Sequence, residues 1–418
     1  MNLDRLVAGL DIGSAKTTAI IAEVVGDGRT PMLKILGVGQ SRTTGLRRGV
    51  VSDITETTSS IKKALNDAER MAGAQVLELY VGIAGEHVQA MTSKGIVAVN
   101  GDEIKPADVE RAHQVARAQS IPQDRELLHA IPQEYTVDRN VGVRDPVGMI
   151  GMRLETEMYL VTIGSSPAMN LRKAVERAGY SVKELVLEPL ASALAALSED
   201  EKELGVALVE LGAGTTDLAI FHEGKIRHLG TLNFGGNAVT NDIVHGLGVT
   251  QADAERLKER HGCAYERMVD PSEVIPLPST QAQGERQIPR ELLAHIIHQR
   301  MDEIFDMVQR EIEGAGYSGK LAAGIVLTGG AAAVEGIAEL AQDVFGAGVR
   351  VGSPRDLAGL SDSVEAPRFA TVVGLAQYAA GRLAVGAAAA PGRRKVAAGA
   401  GGGDKLAQRV KTWLQDFF

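Results

Sequence analysis

The chain has 418 residues, of which 44% are hydrophobic and 23% charged, the proportions of a globular protein long enough for two or three domains of about 150 residues. Its 44 Lys and Arg against 53 Asp and Glu leave a formal net charge of −9, which excludes a broadly basic nucleic-acid binder because phosphate backbones require concentrated positive charge. The only cysteine, Cys263, excludes an intrachain disulfide and a cysteine-built zinc site, and the nine histidines are scattered without metal spacing. The acidic start does not read as a secretion signal and no run of about 18 apolar residues occurs, so a soluble cytoplasmic chain is expected, with a reservation at its C-terminus.

In chain order, an apolar run at residues 6–10 enters Asp11-Ile12-Gly13-Ser14-Ala15-Lys16-Thr17-Thr18, and residues 19–25 lead to the turn Gly26-Asp27-Gly28 and a third extended stretch. The same order recurs from residues 206–209 through Glu210-Leu211-Gly212-Ala213-Gly214-Thr215-Thr216-Asp217, residues 218–221 and the turn Glu223-Gly224. Strand, acidic-glycine turn, strand, turn, strand, twice over, predicts a duplicated α/β architecture with a cleft between its halves. Helical patterns fill the intervals: residues 54–71 with Ile54, Ile61, Leu65 and Ala68 on one face, 167–178 closed by Gly179, and an alanine-rich helix at 190–197 introduced by Glu188-Pro189. Further helices are predicted at 251–261, ended by Gly262, and over 290–312, where Leu293, Ile296, Ile297, Ile304, Phe305 and Val308 keep helical spacing. Residues 81–163 read as an inserted subdomain, 269–289 as an irregular proline-bearing excursion, and 384–403 as a flexible Ala/Gly tether.

The two acidic-glycine turns carry the chemistry. Glycines and small hydroxyl residues let backbone N–H groups converge on an anion, with Thr17, Thr215 and Thr216 as hydroxyl donors and Lys16 as a point charge for a phosphate oxygen. Asp11, Glu210 and Asp217 would repel phosphate unless a hydrated Mg²⁺ stood between. One such turn alone is an ordinary hairpin; two at equal register in two halves point to a shared anion-binding cleft. Gly329-Gly330-Ala331 after an apolar strand, and Gly235-Gly236 before a helix, are further close-approach sites, while Glu255 and Lys258 share one helix face. Glu188 reads equally as a cap for the helix at Pro189 or as a functional acid.

This set resembles the actin-like ATPase superfamily, with Glu188-Pro189-Leu190-Ala191-Ser192-Ala193 and Ala370-Thr371-Val372-Val373-Gly374-Leu375-Ala376 as the two helices connecting the halves. Within it the chain resembles the FtsA family of bacterial cell-division proteins over nearly its whole length. The distinguishing stretches are Gly9-Leu10-Asp11-Ile12-Gly13, Gly82-Ile83-Ala84-Gly85-Glu86-His87, His129-Ala130-Ile131-Pro132-Gln133-Glu134-Tyr135 and Asn237-Ala238-Val239-Thr240-Asn241-Asp242-Ile243. The resemblance implies an α/β actin-like fold with core subdomains at 1–82 plus 163–196 and 366–383, and at 197–234 plus 318–365. It further implies a family-specific insert at 83–162, an outer subdomain at 235–317, a linker at 384–403 and a membrane-targeting helix at 404–418. It implies ATP and Mg²⁺ as ligands, with Asp11, Gly13, Ser14 and Lys16 in the first phosphate loop and Glu210, Gly212, Gly214, Thr215, Thr216 and Asp217 in the second. Gly235, Gly236, Glu255, Lys258, Gly329, Gly330 and Ala331 match segments that contact ribose, adenine or phosphate, and Glu188 matches the acid that orients water towards the terminal phosphate. Glu210 stands where most members have Asp, and Ala213 and Ala331 stand where glycines are frequent; nucleotide binding is expected and fast hydrolysis is not.

In the tail, Leu406, Val410, Trp413, Leu414, Phe417 and Phe418 form one apolar stripe beside Lys405, Arg409 and Lys411. At 1.5 Å per residue the tail spans roughly 22 Å, too short to cross a bilayer but suited to lying in the headgroup plane. The one Trp and two of the seven Phe lie here, behind the flexible tether, which favours a membrane surface over docking on the chain itself. The expected protein is a polymerising adaptor at the division site on the cytoplasmic face of the cell membrane. Its implied partners are the C-terminal peptide of the tubulin-like FtsZ, further copies of itself, membrane lipids and later division proteins met through the insert. The alternatives are a pilus-assembly relative and a small-molecule kinase of the same superfamily.

Overall fold

The structure, a computed structural model, describes residues 5–25, 32–118, 121–277 and 286–389. The turn at 26–28 and the tail stripe, from Lys405 and Leu406 to Phe418, lie outside the described residues. Strands β1 (Leu6–Ile12), β2 (Lys16–Val25) and β3 (Met32–Arg42) form an antiparallel meander. A small hairpin, β4 (Leu46–Arg47) and β5 (Val50–Val51), precedes helix α1 (Ile54–Ala72) and strand β6 (Glu78–Ile83), which pairs parallel to β1. Asp53 caps α1 by accepting the Glu56 N–H at 2.9 Å, and Gly73 ends it in the left-handed region. The helix lies directly on strand backbone: a Cβ on Gly39 would stand 1.9 Å from the Ala64 carbonyl oxygen, and one on Gly37 2.2 Å from that of Ala68.

The insert follows as β7 (Val88–Ala98), α2 (Pro106–Arg117), β8 (Arg125–Val137), β9 (Asn140–Val143) and β10 (Arg153–Gly164), an antiparallel sheet in the order β7-β10-β8-β9. Helix α2 sits on Gly95 just as α1 sits on Gly39, with a Cβ there only 2.0 Å from the Ala112 carbonyl oxygen. The chain returns through α3 (Ser165–Ala178), β11 (Ser181–Leu187), α4 (Glu188–Ala196) and α5 (Glu199–Leu204). Helix α3 starts ahead of Pro167, which occupies its first turn rather than opening it.

The second half repeats the first: β12 (Val206–Leu211), β13 (Thr216–His222) and β14 (Lys225–Leu232) form another antiparallel meander, followed by α6 (Gly236–Leu247) and α7 (Gln251–His261). The proline-bearing excursion is partly regular, because β15 (Val274–Leu277) and β16 (Arg286–Pro289) pair antiparallel as an isolated ribbon whose free edges tolerate Pro276 and Pro289. Helix α8 (Arg290–Gly314), β17 (Ile325–Thr328), α9 (Ile337–Phe345) and β18 (Val349–Val351) complete a five-stranded sheet, β14-β13-β12-β17-β18. Finally β19 (Leu357–Gly359) joins the first sheet, giving β11-β6-β1-β2-β3-β19, and α10 (Ala370–Ala389) closes the described chain. Helix α10 therefore continues past residue 383 into the segment read as a tether, in keeping with the high helix propensity of alanine.

Strand alternation sorts the core. Val7, Ile20, Ala22 and Leu33 of the first sheet and Val206, Leu208, Ala219 and Phe221 of the second face one shared layer built around α4 and α10. Their neighbours face outward, Ala8, Leu10, Ala19 and Ile21 under α1 and α3, and Ala207, Val209, Leu218 and Ile220 under α6, α8 and α9. Helices α4 and α10 cross at Gly374, where a Cβ would lie 1.8 Å from the Ala191 carbonyl oxygen. Among the described residues no helix is long and apolar enough to cross a membrane.

The insert is anchored to that layer through β8. Ile131 joins the shared core, and His129, only 4% exposed, accepts the Leu187 N–H on Nε2 at 3.1 Å while standing edge-on to Tyr378. Burial pushes the His129 imidazole down to about 3. With a folded value below the unfolded one, this group contributes its stability above about pH 6.5 and loses it as pH falls towards 3, at about 1.4 kcal/mol per pH unit. His129→Gln keeps an acceptor for Leu187 but does not titrate, so urea midpoints at pH 7 and pH 5 should fall less for the variant than for the parent; equal falls would disprove the assignment.

Candidate anion- and cation-binding cleft

Both acidic-glycine turns fold alike. The Gly13 N–H donates to the Lys16 carbonyl at 3.1 Å and the Gly212 N–H to the Thr215 carbonyl at 3.0 Å. Side chains at these glycines would meet the same carbonyls at 3.1 and 2.9 Å, so the absence of Cβ atoms is what lets each turn close on itself. The loops approach each other at Gly214, where a Cβ would lie 2.7 Å from the Ser14 hydroxyl. The second loop is fastened to the start of α6 by Gly236 N–H to Gly212 carbonyl, 3.0 Å, and Asn237 N–H to Ala213 carbonyl, 2.8 Å.

Between the halves lies a cleft of about 620 Å³. Asp11, Gly13, Ser14 and Lys16 line it from the first half with Glu188; Glu210, Gly212, Gly214, Thr215, Asp217, Gly236, Glu255, Lys258, Gly329, Gly330 and Ala331 line it from the second. Three expected residues stand behind the wall instead. Alternation along β2 and β13 turns Thr17 and Thr216 away: Thr17 pairs its hydroxyl with Thr43 at 2.8 Å, and Thr216 donates to the Phe234 carbonyl at 2.9 Å. Gly235 is buried under the second loop, where a Cβ would meet the Gly212 carbonyl oxygen at 2.6 Å. The two threonines are corrections to the sequence reading, which ignored the two-residue period just inside each strand. The same period places Thr18 in the cleft, hydrogen-bonded to Gln40.

In the Glu255–Lys258 pair the carboxylate side chain keeps 42% exposure but the lysine does not. Lys258 is buried and its ammonium donates to the Gly236 carbonyl at 3.0 Å, the Thr240 hydroxyl at 2.7 Å and Glu255 at 2.8 Å. Their helix, α7, is capped by Thr250, whose hydroxyl accepts the Asp253 N–H.

Four carboxylates converge on the other end. Burial and Glu210 push the Asp11 carboxyl up to about 8; burial pushes Glu210 up to about 7, against hydrogen bonds from Thr371 and Ser192. Burial also raises Asp217, against hydrogen bonds from Thr231 at 2.7 Å and Thr215 at 2.9 Å. Glu188 is raised well above its ordinary value by burial and then by Asp11, Glu210 and Asp217. Glu188 is the first residue of α4, after the N-cap Leu187, and its side chain lies over Gly82, where a Cβ would stand 2.9 Å from Glu188 Cγ.

Such crowding suits a divalent cation. Among the described residues no three His, Cys, Asp or Glu side chains could enclose a metal directly, so a fitting cation is one that keeps its waters and is shared with a bound anion, as Mg²⁺ does. Backbone donors at the loops with Lys16 fit the anion. Sequence reasoning missed Ser192 and Thr371; the only signal was a hydroxyl set in each of two apolar helices. Glu188→Gln should raise the melting temperature of the cation-free chain in EDTA by roughly 1–3 °C, because a neutral amide removes one crowded acid. A fall would return Glu188 to a structural role.

The comparisons with known proteins agree with this geometry. Residues 207–374 match the family model "Cell division protein FtsA" and residues 85–162 the model "SHS2 domain inserted in FTSA". Cell division protein FtsA of Pseudomonas aeruginosa is 43% identical over 374 residues, covering 90% of this chain and 89% of that protein. The Neisseria meningitidis serogroup B protein is 40% identical over 415 residues, covering 99% of each, and that of Escherichia coli K12 is 39% identical over 381 residues, covering 90% of each. Among solved structures, the PilM–PilN type IV pilus biogenesis complex matches with a TM-score of 0.63 at 18% identity, covering 89% of this chain and 97% of that one. MreB5 of Spiroplasma citri bound to ADP matches with a TM-score of 0.56 at 15% identity, covering 92% and 99%; these two likenesses establish the actin-like fold. With its inserted subdomain, paired loops and near full-length relatives, the chain belongs to the FtsA family of bacterial cell-division proteins.

Proposed function

We propose that the chain is an ATP-binding, membrane-anchored adaptor that polymerises and tethers FtsZ filaments to the cytoplasmic face of the cell membrane. The observation that carries the nucleotide reading is the pair of glycine turns with the same hydrogen-bond pattern, facing each other across a cleft that also holds four crowded carboxylates. Lys16 and the N–H groups of the two loops take the phosphates, while Glu255 and Lys258, fixed by Thr240 and Gly236, wall the nucleoside end with Gly329, Gly330 and Ala331. Magnesium, when bound, supplies charge neutralisation between the phosphates and Asp11, Glu210 and Asp217. Glu188, half-buried at that end, holds a water in reach of the terminal phosphate; occupancy of the cleft rather than rapid turnover is the role of the site.

The remaining roles follow the family. The outer subdomain, residues 235–317, receives the C-terminal peptide of FtsZ, and the insert faces neighbouring copies or later division proteins. The stripe Leu406, Val410, Trp413, Leu414, Phe417 and Phe418, with Lys405, Arg409 and Lys411, lies on the membrane. A single tail contributes on the order of a few kcal/mol after helix ordering, so filaments supply the avidity for stable attachment. The adaptor reading is preferred to a pilus role because the FtsA relatives are 39–43% identical, against 18% for the pilus complex.

Lys16→Ala removes a charge-assisted contact and should weaken binding of a fluorescent ATP analogue about tenfold; unchanged affinity would mean the first loop is misread. Full-length protein with Mg·ATP and anionic liposomes should show filaments on the lipid by negative-stain electron microscopy, and these should vanish on deletion of residues 404–418. Bare liposomes with steady phosphate transfer to a small molecule would favour a kinase.

A further inference from the structure

Glu210 is the penultimate residue of β12, beside the second loop, opposite Asp217 on β13 and Thr328 on β17. Each oxygen of its carboxylate is taken by a hydroxyl from a different connecting helix. Ser192 on α4 donates to Oε2 at 2.7 Å and Thr371 on α10 donates to Oε1, the two hydroxyls being 3.1 Å apart. All three groups are buried, Ser192 at 0%, Thr371 at 4% and Glu210 at 8% exposure.

The arrangement is specific in three ways. A serine inside a helix ordinarily returns its proton to a carbonyl of the preceding turn, whereas Ser192 spends it on Glu210 across the interface between helix and sheet. Asp217, the other acid of the second half, is held by Thr215 and Thr231, both belonging to its own sheet or loop; Glu210 alone is held by the helices that join the halves. The longer side chain of Glu210, compared with an aspartate, is what carries its carboxylate to those two hydroxyls here.

We propose that Ser192 and Thr371 are positioning residues for the divalent cation of this cleft. They set the Glu210 carboxylate at the cation's water shell, and because one stands on each connecting helix, occupancy by the cation is registered at the crossing of α4 and α10. The inference rests on the nucleotide reading above and deepens it. A carboxylate held by two hydroxyl donors keeps lone pairs for metal-bound water in a fixed direction; partners that orient a metal's own ligands account for about 10- to 100-fold in affinity, an upper bound for a carboxylate acting through water.

The test uses the full-length chain with a fluorescent ATP analogue. Affinity is measured in EDTA, and the analogue's response is then titrated with Mg²⁺. Ser192→Ala with Thr371→Val should raise the Mg²⁺ midpoint about tenfold while leaving the affinity in EDTA within about twofold. Ser192→Thr with Thr371→Ser, which keeps both hydroxyls, should restore the parental midpoint, and Thr371→Val alone, nearly isosteric, should give a smaller shift of the same sign. An unchanged midpoint with a lowered melting temperature would show the hydroxyls to be structural only and overturn the proposal. Absence of analogue binding by the unsubstituted chain at every Mg²⁺ concentration would overturn the nucleotide reading and this inference with it.

Discussion

Helices α4 and α10 pass so close that Gly374 rests on the Ala191 carbonyl, and both sheets pack their inner faces on the layer these helices make. No side chain fits at that point, so the halves share one core while their outer faces keep separate ones. The cleft follows from the same constraint. Each meander ends its first strand beside a connecting helix, which brings Asp11 and Glu210 towards each other and towards Glu188 at the start of α4. The C-terminal end of α4 is equally committed: Arg350 and Arg355 both donate to the Ala196 carbonyl, and Glu201 holds Arg350 at 2.6 Å.

Charge in the cleft opposes folding as surely as the shared layer favours it. Four acids are kept near one another with their carboxyls pushed upward, the usual sign of a site in which stability is given up for binding. The hydroxyls around them, Ser192, Thr215, Thr231 and Thr371, offset part of that cost without introducing a competing cation. Lys258 shows the opposite economy at the other end, where an ammonium is buried only because a carbonyl, a hydroxyl and a carboxylate all receive it.

Much of this was legible from residues alone. The duplicated strand-turn-strand order, helix α7 and the glycine-closed end of α3 each depend on local chemistry that a sequence carries openly. Thr17 and Thr216 went astray because a motif treats neighbouring positions alike, whereas a strand sends them to opposite faces. Ser192 and Thr371 were invisible because their function depends on two helices, far apart in the chain, meeting at one carboxylate. His129 shows the same limit: a buried neutral imidazole holding the Leu187 N–H has no local signature, though the stretch around it was distinctive.

The glycine seats under α1 and α2 have a mechanical consequence. Because each helix lies on bare strand backbone at Gly37, Gly39 and Gly95, neither can slide sideways or roll without driving main chain into main chain. The first sheet with its helix, and the insert with its own, are therefore each tightly keyed units. A change in angle at the α4–α10 crossing would move each of these units as a body rather than deform it.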